Sequence, residues 1–288
     1  MSYWVNLLDC ETQFLKGRYR TRILEAGEGF PFVLLHGMGG HLENFVNNIP
    51  EYAKHFHVIA MDFLWHGRSQ TAGFDEAVLP PLVDQLRDVL DTLKLDKVHL
   101  EGQSLGGWVA ALFTLKYPER VEKLVLTTAT GYVPDEGAIP GYRRPNAAAT
   151  VDQALTVFDD PSDANIRKRL EVVVFDSSLI SDETVALRAR IYRDPAVNRV
   201  LREVMRNYLA GEGPARNSIT DSLARQINRP TLVYWGDKNR PGPEVGQRLA
   251  AMIPGAKYHG ASDTGHWAQF EHCEEHNRVV LDFLLDRG

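Results

Sequence analysis

Three short stretches of this chain hold side chains whose types and order could make and break covalent bonds. Gly102-Gln103-Ser104-Leu105-Gly106 sets a hydroxyl between two glycines. The run before it, KVHLEGQS from Lys97, reads as a buried strand, and the run after it, GGWVAALFTLKYPE, places apolar residues at helical steps. A serine on a sharp turn from strand to helix is held in strained backbone with its hydroxyl presented, and flanking glycines let neighbouring backbone pass closely. Near the C-terminus, Asp263-Thr264-Gly265-His266-Trp267 follows the strand-like AKYHGA. Histidine, with an ordinary pKa of about 6.5, can take a proton from a serine and later return it. Ser104 is therefore the expected nucleophile and His266 its general base.

The third stretch is His36-Gly37-Met38-Gly39-Gly40, directly after PFVLL. Such a turn can aim the Met38 N–H at the point where an oxyanion forms, and the Leu105 N–H, at the start of a helix, can aim there too. A glycine-rich loop after a strand could instead cradle a phosphate. Here no Lys-Ser/Thr follows it and no G-x-G-x-x-G is complete.

The elements that must carry these stretches follow from the hydrophobic pattern. PFVLLHG from Pro31, HVIAMDF from His57, KVHLEGQS, VEKLVLTT from Val121 and RPTLVYWGD from Arg229 read as buried strands. ENFVNNIPEYAKHF, LVDQLRDVLDTLKL and GGWVAALFTLKYPE read as helices between them. The alternation predicts an α/β fold with a mostly parallel central sheet flanked by helices. TQFLKG and YRTRILEAG predict an antiparallel edge ribbon. The rhythm breaks over residues 133–211, which open on the Pro/Gly-rich VPDEGAIPGYRRP and continue through ANIRKRLEVVVF, SDETVALRARIY and NRVLREVMRNYL. An inserted helical cap accounts for this, leaving 1–132 and 212–288 as the core.

Composition bounds the partners. With 44% hydrophobic and 24% charged residues in 288, the chain is an ordinary globular one. A net charge of -6 and a pI near 5.9 would repel a phosphate backbone, and no basic run offsets it, so nucleic acid is excluded as a partner. MSYWVNLLDCETQF lacks a basic segment followed by a long apolar run, and no stretch reaches about 18 consecutive apolar residues. The expectation is a cytoplasmic protein with no membrane partner, and a homo-oligomer is compatible with it. Cys10 and Cys273 stand far apart with no paired spacing, which gives neither a disulfide framework nor a thiol metal site.

Taken together, HGMGG, GQSLGG, WGDKNRPGP and TGHW resemble the α/β-hydrolases over nearly the whole chain. Within that fold the chain is similar to the carbon–carbon bond hydrolases that cut ring meta-cleavage products in bacterial aromatic degradation. That narrower likeness rests on GHWAQFEHCEEHNRVVLDFL, on VVVFDSSLISDETVALRARI and on Asn44 behind HGMGG. The resemblance implies a carboxylate-bearing small-molecule substrate of the 2-hydroxy-6-oxohexa-2,4-dienoate type and no metal or organic cofactor. The dienol would ketonise, Ser104 would attack the C6 carbonyl, and an enolate would leave. It also implies that Arg188, twelve residues after Asp176, binds the dienoate carboxylate together with Asn44, and that Trp267 lines the pocket. An arginine fork pairs two-to-two with a carboxylate, and amide and indole N–H groups add donors. The plain alternative for Arg188 is a solvated helix face. Gln103, where these enzymes commonly carry Asn, joins the substrate-binding set.

The triad order in this fold is serine, acid, histidine. In the general pattern W-G-x-x-D-x-x-x-P the acid stands four residues before the proline, and counting back from Pro243 reaches Asn239. Asp237 stands two residues earlier. Either Asp237 supplies the acid by a local shift, or Asn239 orients His266 without a charge, or the chain carries an inactivating substitution there. Met38 in place of a small residue, and Trp65 within DFLWHGRS where a glycine is usual, are further departures.

A carboxylesterase or amidase would use the same triad, and a non-catalytic binding protein could keep the scaffold. Arg188 discriminates the first, since neutral esters need no buried cation. A dehalogenase or epoxide hydrolase needs an Asp where Ser104 stands. His272-Cys273-Glu274-Glu275-His276 matches the letters of H-x-x-E-H, but at the start of a terminal helix these side chains are expected to face solvent, so no metal is expected.

Overall fold

The computed structural model describes residues 2–142 and 151–287. Its frame is an eight-stranded sheet built from β1 (Glu11–Lys16), β2 (Arg20–Ala26), β3 (Pro31–Leu35), β4 (His57–Met61), β5 (Val98–Gln103), β6 (Val121–Thr127), β9 (Thr231–Gly236) and β10 (Lys257–Ala261). Two-residue strands β7 (Tyr132–Val133) and β8 (Ile219–Thr220) pair separately. The order across the large sheet is β1-β2-β4-β3-β5-β6-β9-β10. β1 and β2 form the antiparallel ribbon, β2 joins β4 antiparallel, and every later pair is parallel.

Apolar runs such as VIAM and TLVYW are fully buried because helices cover both faces of the parallel part. The helices Leu79–Thr92 and Leu105–Lys116 supply much of one layer, and Leu82, Leu86, Val109 and Phe113 join Val33, Leu100 and Leu124 in one core. Between β3 and its neighbours the chain order reverses: it runs out to β4 on one side and returns to β5 on the other. The connections after β3 and β5 therefore part at their carboxyl ends and open a crevice there.

One expected helix does not form. ENFVNNIPEYAKHF gives a 3-10 turn at Leu42–Phe45 and a single α-turn at Ile49–Tyr52. Pro50 has no N–H to continue a helix from the preceding turn, and the buried Asp62 carboxylate takes the Leu42 N–H at 2.8 Å, so this stretch hugs the core instead.

Within residues 133–211 Val133 ends β7 and 134–142 form no helix, while four α-helices follow: Val151–Asp159, Asp163–Glu171, Asp182–Tyr192 and Pro195–Ala210. Residues 143–150 of the expected cap, and with them the end of VPDEGAIPGYRRP, lie outside the described residues. Ser181 accepts the Thr184 N–H, and Asp194 caps Pro195–Ala210 with proline at its first position. These helices bury Leu155, Phe158, Ile166, Leu170, Tyr192 and Leu201 in a cluster of their own, which Trp267 and Phe270 join from beyond the sheet. Arg68 pairs with Asp194 at 3.1 Å across the same boundary.

Candidate active site

The sequence turns at Ser104 because glycine allows it. A Cβ on Gly102 would stand 2.2 Å from the Gly106 carbonyl oxygen, and one on Gly106 would stand 2.1 Å from that of Leu35. With both Cβ atoms absent, β5 passes directly into the helix Leu105–Lys116, and Ser104 takes φ 55° and ψ −117°. Such a conformation costs about 1–3 kcal/mol and persists only where the surroundings impose it. Here the Ser104 N–H donates to the Thr127 carbonyl at 3.1 Å and its carbonyl accepts from Trp108 and Thr130.

The Ser104 Oγ lies 2.8 Å from His266 Nε2. His266 is fixed through its backbone. Its N–H donates to the Val173 carbonyl at 3.0 Å, and its carbonyl accepts from Gln103 Nε2 at 2.9 Å and Thr128 Oγ1 at 2.7 Å. Glu271 steadies the loop further, accepting from the N–H groups of Gly265 and Phe175. Gln103 thus lines the cavity but spends one amide donor on the histidine loop.

Of the two candidates for the third position, Asn239 takes it. Its Oδ1 lies 2.8 Å from His266 Nδ1, and the residue is buried with its Nδ2 unpartnered. An amide oxygen there puts the imidazole proton on Nδ1 and leaves the Nε2 lone pair facing the serine. Asp237 is engaged elsewhere. Its carboxylate accepts from Lys238 Nζ at 2.9 Å and from the Thr264 N–H at 3.2 Å, and the Lys238 contact holds its pKa below the usual range. Burial, and after it the Arg169 charge, lower the His266 pKa to about 4.

The donors expected for an oxyanion sit on either side. Leu105 opens its helix, so its N–H has no acceptor in the preceding turn of that helix. Gly37–Gly40 closes a turn with the Gly40 N–H on the Gly37 carbonyl at 2.9 Å and Gly39 at φ +71°, which leaves Met38 at the second position with its N–H outside the turn bond. His36 anchors this loop: its Nε2 accepts from the Phe63 N–H and its Nδ1 donates to the Gly37 carbonyl, while burial keeps the ring neutral.

Serine and histidine open into a cavity of about 1150 Å³ between the sheet's carboxyl edge and the helices of 151–210. Arg188 reaches it from the helix Asp182–Tyr192, buried, with Nη1 on the Gly39 carbonyl at 2.6 Å and Nη2 on Asn44 Oδ1 at 3.1 Å. It is not a solvated helix face. Trp267 stacks on Phe270 with centroids 4.1 Å apart, and its buried Nε1 has no partner among the described residues. All ten residues singled out in the sequence lie at this site or on its walls. Among the wall residues not singled out, Arg169 and Tyr208 carry polar groups into the site. Tyr208 donates to or accepts from Thr130 Oγ1 at 2.8 Å. No sequence signal distinguishes either from its neighbours on an amphipathic helix.

The letters of H-x-x-E-H do not converge, and the segment is not all at the surface as expected: His276 faces the core, buried between Tyr52 and Thr127, whereas exposed His272 contacts the Asp263 carbonyl. No group of three or more metal-binding side chains comes together among the described residues, and no helix there is long and apolar enough to cross a membrane.

A strand-to-helix serine, a histidine after the last strand and a cavity at the switch point define a hydrolase site. Residues 31–272 match the alpha/beta hydrolase fold family, and the chain belongs to it. Among its relatives, the 2-hydroxy-6-oxononadienedioate/2-hydroxy-6-oxononatrienedioate hydrolase of Comamonas testosteroni is 33% identical over 283 residues, covering 93% of this chain and 92% of that protein. The 2-hydroxy-6-oxo-6-phenylhexa-2,4-dienoate hydrolase of Burkholderia cepacia is 33% identical over 276 residues, with 93% and 92% covered. A solved serine hydrolase involved in carbazole degradation superposes with a TM-score of 0.79 at 25% identity, covering 96% of this chain and all of that one. The phenylhexadienoate hydrolase of Rhodococcus sp. strain RHA1 shares the fold at a TM-score of 0.82 and 23% identity, with 96% and 100% covered. The chain is accordingly an enzyme, a hydrolase that resembles those acting on meta-cleavage products.

Proposed function

We propose that this enzyme is a serine hydrolase that cleaves a carbon–carbon bond in a 2-hydroxy-6-oxo-dienoate, with residues 133–211 as its cap. The observation that carries the reading is Arg188. Its guanidinium is buried in the cavity that holds Ser104 and His266, and its partners are neutral oxygens. A buried cation without a counter-charge is costly, and a substrate carboxylate would remove that cost through a charge-assisted fork. Neutral esters offer nothing for it.

In this reading the dienol first ketonises, so that the carbon to be expelled can leave as a stabilised enolate. Ser104 Oγ then adds to the C6 carbonyl while His266 Nε2 takes its proton. The oxyanion is held by the Met38 and Leu105 N–H groups. Collapse breaks the carbon–carbon bond, its electron pair goes to the enolate, and the His266 imidazolium delivers the proton it took from Ser104 to that carbon, which leaves His266 neutral. Water, deprotonated by His266, hydrolyses the acyl-serine to a carboxylic acid. Asn239 orients the imidazole throughout but contributes no full charge. Asn44 and Trp267 add donors at the carboxylate end.

The deciding assay follows loss of the yellow dienoate absorbance against hydrolysis of short neutral aryl esters, with labelling by an active-site serine phosphonate alongside. Dienoate turnover at least about tenfold more efficient than ester turnover is the expected result. Ester turnover alone would make the enzyme an esterase, and neither turnover nor labelling would make it a binding protein.

A further inference from the structure

The cavity holds a second arginine that the mechanism leaves unused. Arg169 sits on the helix Asp163–Glu171, between Lys168 and Leu170, and lines the same cavity as Ser104, His266 and Arg188. Its neighbour Arg167 turns outward to Asp182 at 2.6 Å. Arg169 does not follow it. Its Nε is out of contact with solvent and without a hydrogen-bond partner, and among the described residues no carboxylate forms an ion pair with it. Burial and the nearby Arg188 charge both disfavour its protonated form.

Two arginines therefore face one cavity, Arg188 buried and Arg169 half-buried, and among the described residues neither is paired with an acid. Arg188 has the Gly39 carbonyl and Asn44. The one carboxylate among the described residues on the cavity wall, Asp237, is held by Lys238 and the Thr264 N–H. Unpaired charge that is buried, or partly so, is costly to desolvate further, and a ligand anion in the cavity would supply the counter-charge. One carboxylate at Arg188 leaves the second cation unanswered.

We propose that Arg169 is a second anion site, and that the substrate carries two carboxylates, one for each arginine. This rests on the carbon–carbon hydrolase reading and narrows it: the acyl portion ends in an acid rather than an aryl ring. A phenyl group at that end would leave Arg169 desolvated and unpaired, so the discrimination comes from the cost of the wrong substrate as much as from the pairing with the right one.

The test compares 2-hydroxy-6-oxononadienedioate with 2-hydroxy-6-oxo-6-phenylhexa-2,4-dienoate on the same preparations. The unsubstituted enzyme should favour the dicarboxylate. In Arg169→Gln the ratio of kcat/KM for the dicarboxylate to that for the phenyl compound should fall at least about 30-fold, the scale of a lost charge-assisted hydrogen bond. Arg169→Lys should recover part of it. Because both substrates are read on one sample, partial misfolding lowers both rates and leaves the ratio alone. Binding is measured separately by the dienoate absorbance on Ser104→Ala with and without Arg169→Gln, where the dicarboxylate should weaken at least about tenfold relative to the phenyl compound. An unchanged ratio in either measurement overturns the second site while leaving the hydrolase reading standing. Failure of Ser104→Ala to bind either dienoate overturns both.

Discussion

Replacing Asn239 by aspartate tests the least usual feature of this site. The amide oxygen stands 2.8 Å from His266 Nδ1, and the imidazole pKa is held down at about 4. A carboxylate in the same place would face the imidazolium with charge centres about 4 Å apart, worth about 4 kcal/mol at an effective dielectric of 20. At 1.36 kcal/mol per unit, the His266 pKa would rise by about three units to near 7. If proton transfer from Ser104 is complete in the transition state, the same energy is about a thousandfold in rate. Partial transfer gives less, so Asn239→Asp should accelerate acylation by at least about 30-fold at pH 8. Single-turnover acylation by an activated aryl ester is the right assay, because it does not wait on ketonisation. The pH dependence supplies a second readout. The base must be unprotonated, so activity is lost as pH falls through the His266 pKa. That loss should move from about pH 4 up to near pH 7 in Asn239→Asp, and the gain should shrink at pH 5. The second carboxylate oxygen replaces an unpartnered buried Nδ2, so the variant should also be less stable by about 1–3 kcal/mol. Rates within threefold of the parent from pH 6 to 9, with Asp237→Asn falling more than tenfold, would refute the reasoning.

Ser104→Ala should keep the fold, since it removes only the hydroxyl, and should lower turnover by at least about a thousandfold, checked by steady-state rates beside circular dichroism. Arg188→Ala should cost dienoate turnover at least about 30-fold more than it costs a neutral aryl ester. Equal losses would mean that Arg188 serves only to brace the Gly39 turn. Glu101 is fully buried on β5 against Thr127 and His276, and burial raises its pKa to about 8. Between its ordinary pKa and about 8 the unfolded chain has lost a proton that the folded one keeps, so this group's contribution to stability falls as pH rises. Glu101→Gln has no proton to keep, and its melting temperature relative to the parent should climb by at least about 4 °C between pH 5 and pH 8. A constant difference would show that Glu101 ionises in the folded protein without penalty.

The parts of this molecule that were legible in its sequence are those fixed by neighbours along the chain. Buried parallel strands appear as continuous apolar runs, and the serine turn depends on glycines two residues to either side, so β3 to β6, β9 and Ser104 are all local facts. The helix expected over ENFVNNIPEYAKHF met the periodicity, but the carboxylate that holds its start comes from Asp62, just past the end of β4 and twenty residues away. The acid position shows the same limit at finer scale. The Asp237 N–H still donates to the Ala261 carbonyl, so residue 237 belongs to the sheet edge and its side chain faces Thr264. Only when the chain turns, with the Asn239 N–H on the Gly236 carbonyl, does residue 239 reach His266. Counting from Pro243 reaches the residue that lies beside His266, proximity to the strand end points to Asp237 instead, and nothing local decides between them. Arg167, Lys168 and Arg169 are three successive cations about 100° apart on one helix, and which of them turns inward depends on how that helix docks. Charge balance inside the cavity is thus a property of the assembled walls. It is also what would distinguish one carboxylate from two in the proposed substrate, which is why motifs point to a class of reaction and only the assembled cavity bears on specificity.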